Sequence, residues 1–187
     1  MPDGVEKLER KAVLTYEEFL RLAALFARCG VDTVRVTGGE PLVRKGVDQL
    51  VAGLKAIPGI RKVTMTTNGI LLARQLPALL DAGLDSVNIS LDTLRPEVFQ
   101  SITARDEFEH VMEGIRAALD SGIPVKLNCV PQVGVNEGEL EDLAALAESR
   151  PLQVRFIEMM PIGYGAAMPC ISGPAVSYTH LRAHETT

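Results

Sequence analysis

Thr37-Gly38-Gly39-Glu40-Pro41 follows directly on a short apolar run, Thr33 to Val36, so its two adjacent glycines fall where a strand ends and the chain must turn. A glycine pair there leaves main-chain N–H and C=O groups open to a close approach that a Cβ would block. Glu40 sets a carboxylate beside them, and Pro41 fixes the exit from the turn. An ordinary strand-to-helix turn could carry the same residues, because short glycine motifs are weak signals by themselves. The surrounding chain decides which reading holds.

Working outward, strand-like runs recur at Thr33 to Val36, Lys62 to Thr66, Ser86 to Ser90, Val125 to Val130 and Gln153 to Ile157. Between them lie amphipathic helical stretches. The first begins at Thr15, where Thr15 and Glu18 have capping-box spacing ahead of Phe19, Leu22, Leu25 and Phe26, and it should stop near Gly30. Others cover about 46–57, 73–82, 108–119 and 137–148, with Asp81-Ala82-Gly83 and Asp120-Ser121-Gly122 supplying glycine stops. Strand and helix alternation predicts right-handed crossovers and a parallel sheet. The strands look brief and mostly apolar, which suits a sheet covered on both faces. A parallel barrel or part-barrel would place its chemistry at the C-terminal strand ends. A doubly wound open sheet is the alternative.

Composition bounds the possibilities. A chain of 187 residues is long enough for one domain with a real core. It is 47% hydrophobic and 23% charged, and no apolar run approaches the roughly 18–20 residues that span a bilayer, so no membrane is expected. The N-terminal residues lack an apolar signal segment, which points to a cytoplasmic protein. A net charge of -5 with both signs interspersed argues against a nucleic-acid polymer as partner while leaving room for a local basic pocket. Cys29, Cys129 and Cys170 lie far apart and form neither a disulfide framework nor a metal motif.

Polar residues gather at every strand end. They are Thr37 to Glu40, Thr66-Thr67-Asn68-Gly69, Asn88-Ile89-Ser90-Leu91-Asp92, Lys126 with Asn128, and Arg155 to Met160. Lys126 and Asn128 are two apart and share a face of their strand, while Arg35 sits in mid-strand, where an unpaired buried charge would be costly. An interior holding Arg35 and Lys126 favours an anionic ligand. Plain structural roles compete with this: Asn68-Gly69 as a turn, Ser90 and Asp92 as helix caps, Arg155 with Glu158 as an ion pair. A sugar-phosphate barrel enzyme using Glu40, Glu158 and Asp92 as acid and base is a further possibility.

The blocks Arg-Val-Thr-Gly-Gly-Glu-Pro-Leu (35–42), Thr-Thr-Asn-Gly (66–69), Asn-Ile-Ser-Leu-Asp-Thr-Leu (88–94), Val-Lys-Leu-Asn (125–128) and Arg-Phe-Ile-Glu-Met-Met-Pro (155–161) resemble the GTP 3′,8-cyclase family of radical S-adenosylmethionine enzymes, also called molybdenum cofactor biosynthesis protein A. The resemblance covers residues 1–175 and implies a partial parallel (β/α) barrel of the radical SAM type lacking its first strand. It also implies the reaction. A [4Fe-4S] cluster cleaves S-adenosylmethionine reductively, and the 5′-deoxyadenosyl radical rearranges GTP to (8S)-3′,8-cyclo-7,8-dihydroguanosine 5′-triphosphate. By the same resemblance Gly38, Gly39, Glu40, Ser90 and Met160 form the S-adenosylmethionine site and Arg35, Thr66 and Lys126 the GTP site. No catalytic or metal-ligating residue is assigned within this chain, and the full-length family is expected to be a homodimer.

Two departures stand out. Met1-Pro2-Asp3-Gly4 matches the segment that follows the family's cluster-binding Cys-x-x-x-Cys-x-x-Cys loop, so the cluster ligands are expected to be absent here, and the chain to be a fragment inactive alone. The alternatives are a cluster-free part-barrel that still binds nucleotide or S-adenosylmethionine, or another radical SAM enzyme. Residues 176–187 do not continue the family pattern and read as translated adapter sequence, which removes meaning from the i, i+4 spacing of His180 and His184. His110 is expected on a helix surface.

Overall fold

A computed structural model of the chain describes residues 13–160 and residue 171. The Met1 to Gly4 segment, Cys170, and the 176–187 tail with His180 and His184 lie outside the described residues.

Local chemistry accounts for the first element. Thr15 Oγ1 accepts from the Glu18 amide at 3.3 Å while Glu18 Oε2 accepts from the Thr15 amide at 2.8 Å, closing the expected capping box on α1, Tyr16–Arg28. After it come β1 (Thr33–Val36), α2 (Val47–Lys55), β2 (Lys62–Thr67), α3 (Leu72–Asp81) and β3 (Ser86–Ser90). The order continues with α4 (Pro96–Thr103), α5 (Phe108–Asp120), β4 (Val125–Cys129), α6 (Leu140–Ser149) and β5 (Leu152–Phe156). Each expected strand is present with its ends moved by no more than a residue. The expected glycine stops also hold, with Gly83 and Gly122 at positive φ just past α3 and α5.

Helix α4 was not foreseen. Its only entry signal is Pro96 at the first helical position, with no side-chain cap, and its one fully buried residue is Phe99. Phe99 meets Phe108 of α5 edge-on with ring centroids 5.7 Å apart, so tertiary packing rather than local sequence defines this helix.

The five strands pair in the order β1-β2-β3-β4-β5, all parallel. That order runs in one direction without reversing, which excludes the doubly wound alternative. With every crossover right-handed, the connecting helices fall on one side of the sheet. The core follows from that arrangement: Val63, Met65, Val87, Ile89, Val125 and Leu127 from the strands join Val51 and Leu54 of α2, Leu72 and Leu79 of α3, Val111 and Ile115 of α5, and Leu143 of α6. Helix α5 comes especially close. A Cβ on Gly114 would lie 2.6 Å from the Gly69 carbonyl oxygen, so only glycine admits this approach of α5 to the turn after β2.

The expectation of two covered faces is corrected. Register places Arg35 beside Thr64, Thr66 beside Asn88, Asn88 beside Lys126, and Ser90 beside Asn128, all on the face opposite the helices. One face of each strand is therefore apolar and packed, and the other is polar. Within a single short, mostly apolar run the threonines and lone cations carry little weight, and only pairing across the sheet aligns them on one face.

Candidate functional site

The polar face is built in rows by strand register. The lowest pairs Arg35 with Thr64, and Arg35 Nε donates to Thr64 Oγ1 at 3.3 Å. The next runs Thr66, Asn88, Lys126 and Gln153 across four strands, and the uppermost runs Ser90, Asn128 and Arg155. With neighbouring strands about 4.8 Å apart, Thr66 and Lys126 stand roughly 10 Å from each other in one row. Lys126 is the electrostatic centre. Partial burial and then the charges of Arg155, Lys62 and Arg35 hold its ammonium below the ordinary lysine range. Among the described residues none of these four cations has an ion-pair partner. A face that gathers unpaired cations selects an anion.

Asn128 supplies a second signal. Its Oδ1 is buried and has no hydrogen-bond partner among the described residues. An orphaned buried acceptor is costly unless a ligand donor or water meets it. It lies on the same face as Lys126, one row nearer the strand ends.

At the rim, Gly38 has φ +153° and open space where a Cβ would project, so its backbone is exposed and held in a glycine conformation. Gly39 beside it is likewise exposed. Glu40, in contrast, turns inward. Its Oε1 accepts from the Leu42 amide at 3.0 Å and from Thr67 Oγ1 at 2.7 Å, and its Oε2 accepts from the Asn68 amide at 2.7 Å. The carboxylate thus ties the glycine loop to the end of β2. Ser90 is exposed at the end of β3, and Met160 lies past the end of β5 with 70% of its surface exposed.

A cavity of about 280 Å³ opens at the ends of β2 and β3, lined by Asn68, Ser90, Asp92, Thr93, Phe99 and Arg105 among others. Asp92 does not cap a helix. Its Oδ1 accepts from the Val130 amide at 2.8 Å, and burial pushes its carboxyl above the ordinary range although that hydrogen bond opposes the shift. His110 is exposed, with Nδ1 2.5 Å from Glu107 Oε2, which raises its pKa.

The structure thus brings Arg35, Thr66 and Lys126 onto one face and places Gly38, Gly39 and Ser90 along its upper rim. Reading the sequence alone missed Asn136 and Glu139, which hold the rim loops without facing the open side. Only long-range pairing reveals them, since Glu139 meets Thr93 across 46 residues.

The open backbone at Gly38, the cationic face and the orphaned Asn128 Oδ1 suit a small ligand carrying both polar and anionic parts. An iron–sulfur cluster does not fit the described residues. Among them no group of histidine, cysteine or carboxylate side chains could hold a metal ion. Cys29 is exposed, and burial, with Asp92 and Glu139 adding, pushes the Cys129 thiol up to about 12.

The sequence profile of the Radical SAM superfamily matches residues 3–147. Molybdenum cofactor biosynthesis protein 1 of Mus musculus is 54% identical over 163 residues, covering 86% of this chain and 26% of that protein. GTP 3′,8-cyclase of Heliobacterium modesticaldum is 52% identical over 167 residues, covering 88% of this chain and 51% of that protein. The chain therefore spans about a quarter of the length of one of these relatives and about half of the other. In fold it is similar to a radical SAM methyltransferase from Sphaerobacter thermophilus, with a TM-score of 0.70 at 21% identity over 91% of this chain and 55% of that one. No helix among the described residues is long and apolar enough to cross a membrane.

Proposed function

The chain belongs to the Radical SAM superfamily, and from that premise we propose that it forms the nucleotide-facing part of a GTP 3′,8-cyclase. The relatives named for that activity and for molybdenum cofactor biosynthesis support this reading. The observation that carries it is the cationic face centred on Lys126, where the charges of Arg155, Lys62 and Arg35 crowd one ammonium and no ion pair among the described residues engages any of the four. A triphosphate satisfies that demand.

In this reading Arg35 and Lys126 hold the phosphates, the guanidinium as a planar fork and the ammonium as a compact charge. Thr66, between them on the sheet, offers its hydroxyl to a polar edge of the nucleotide. Gly38 and Gly39 present backbone groups to the methionyl end of S-adenosylmethionine, with Ser90 and Met160 completing that subsite. Glu40 acts through the loop, since its oxygens already accept three hydrogen bonds. S-adenosylmethionine, with a [4Fe-4S] cluster, supplies radical chemistry in this superfamily. The described residues bind and orient the two ligands, and no step is assigned to them through a cluster.

Isothermal titration of the chain with GTP, GMP and guanosine tests the reading. Affinity should fall in that order, and Lys126→Met should weaken GTP by roughly tenfold or more, the worth of one charged hydrogen bond, while leaving guanosine unchanged. Equal affinity for GTP and guanosine, or no binding of GTP, would sink it.

A further inference from the structure

Behind the rim of β3 and β4 lies a buried polar cluster to which the proposed ligand contacts give no role. Glu139, 6% exposed, sits at the end of a 3₁₀ turn, Glu137–Glu139, that leads into α6. Its carboxylate accepts from Thr93 Oγ1, which is 2.8 Å from both oxygens, from the Leu94 amide at 2.8 Å and from Arg95 Nε at 2.9 Å. Thr93 Oγ1 in turn accepts from the Arg95 amide at 3.1 Å, and Arg95 Nη2 donates to the Val135 carbonyl at 3.1 Å. Burial alone would push Glu139 up, but the Leu94 amide, the Thr93 hydroxyl and the Arg95 guanidinium outweigh it and hold the carboxyl below the ordinary range.

Asn136, fully buried, does the complementary work one turn earlier. Its Nδ2 donates to the Asp92 carbonyl at 2.6 Å and to the Val130 carbonyl at 3.1 Å, and its Oδ1 accepts from the Gln132 amide at 2.7 Å. Asp92 Oδ1 closes the circuit on the Val130 amide. Residues 92–95 and 130–139 are thereby locked together by side-chain hydrogen bonds in both directions. Burying a carboxylate and an amide to join two loops is an expensive way to fill space, since apolar side chains of similar volume do so without a desolvation cost. What polar groups add is direction.

The locked segment is the wall of the cavity at the strand ends. Ser90, Asp92 and Thr93 line it, and Ser90 and Asn128 stand two residues before the two locked stretches. We infer that Glu139 and Asn136 are positioning residues that hold the Ser90 to Thr93 wall in place and so set affinity at the S-adenosylmethionine end of the site without touching ligand. This rests on the proposed function for the identity of the ligand, and on the geometry alone for the coupling between the two rims.

The test uses the whole 187-residue chain with Glu139→Gln, Thr93→Val and Thr93→Ser. Amide hydrogen exchange should quicken at Leu94 and at Val130 together in Glu139→Gln and Thr93→Val, while Leu42 and Asn68, which Glu40 holds, keep wild-type rates. S-adenosylmethionine titration should show a loss of roughly tenfold in the same two variants, with GTP affinity changed less than about twofold. Thr93→Ser, which keeps the hydroxyl, should restore both readouts; if Glu139→Gln does not fold, the Thr93 pair decides alone. Faster exchange confined to 93–95, equal losses for both ligands, or failure of Thr93→Ser to restore the wild-type pattern would overturn the inference. If the unmodified chain binds no S-adenosylmethionine, the proposed function fails at that subsite, and the exchange pattern still decides whether the two rims are coupled.

Discussion

The two faces of one sheet behave as different materials. On the helix side Val63, Met65, Val87, Ile89 and Leu127 are completely buried and interlock with four helices. On the other side Arg35, Ser90 and Arg155 stand exposed, Lys126 is crowded by like charges, and Asn128 Oδ1 has no partner. Neighbouring residues such as Lys126 and Leu127 thus answer to different requirements. The apolar face closes on itself and holds the fold, while the polar face is left unsatisfied by the described residues, and that deficit is what the proposed ligand would meet.

The sharpest way to break this contrast is to truncate adjacent residues. Leu127→Ala should cost about 2–5 kcal/mol in urea denaturation, because the packed face cannot collapse around the lost atoms. Lys126→Met, one residue away, should stay within about 0.5 kcal/mol and lean towards stabilisation, since it relieves repulsion from Arg155, Lys62 and Arg35. Comparable losses for the two would show that the faces are not energetically distinct.

At the rim the contrast takes a backbone form. Gly38→Ala should cost about 1–3 kcal/mol, through strain at φ +153° and not through a clash, because nothing lies within 4 Å of the added carbon. Asn128→Leu should leave stability unchanged or raise it by up to about 1 kcal/mol, since it removes an unpaired buried acceptor, and the same change should weaken ligand binding. Thermal melts with and without GTP separate the two effects. A destabilised Asn128→Leu chain whose GTP-induced shift is preserved would make the orphaned oxygen a structural feature only.

Most of the apolar face was legible in the sequence, because burial leaves a periodic trace in each segment. Thr15 and Glu18 marked α1, glycines marked the ends of α3 and α5, and each strand stood out as an apolar run. On the polar face, Arg35 and Lys126 were legible for the opposite reason, as charges in strands that had no local need of them, whereas Thr66 was singled out only by the family resemblance. Helix α4 was not legible, as eight residues without a cap depend on the Phe99 and Phe108 contact for their definition. Glu139 and Asn136 were hidden more deeply. In sequence they belong to an acidic, helix-starting stretch, and only folding brings them under β3.

Edge and middle of the sheet extend the same comparison. β1 pairs only with β2 among the described strands, and beside it Phe19, Leu22 and Phe26 of α1 line a groove of about 420 Å³ and remain exposed, as does Leu25. An open parallel edge next to exposed apolar side chains favours self-association. Light scattering should show species larger than a monomer, shifted towards monomer by Phe26→Glu; a monodisperse monomer at high concentration would remove the edge as a liability.

The smallest expected effect is a pH dependence in which two carboxyls of the β3 and β4 rim oppose each other. Asp92 is raised in the folded chain by burial, so its contribution is present below the ordinary carboxylate pKa of about 4 and is lost as pH rises through the folded value. Glu139 is lowered by its hydrogen bonds, so its contribution is present above that ordinary range and is lost as pH falls through the folded value. On acidification from pH 7 to 4, Asp92 therefore offsets part of what Glu139 begins to lose. Removing Asp92's proton uptake with Asp92→Asn, whose Oδ1 can still accept from the Val130 amide, should make the urea midpoint fall more steeply over this range. Glu139→Gln should make it fall less steeply. Parallel slopes in both variants would mean that the two carboxyls titrate alike, and that the side-chain hydrogen bonds binding β3 to β4 do not distinguish a buried carboxyl with one amide donor from one held by an amide, a hydroxyl and a guanidinium.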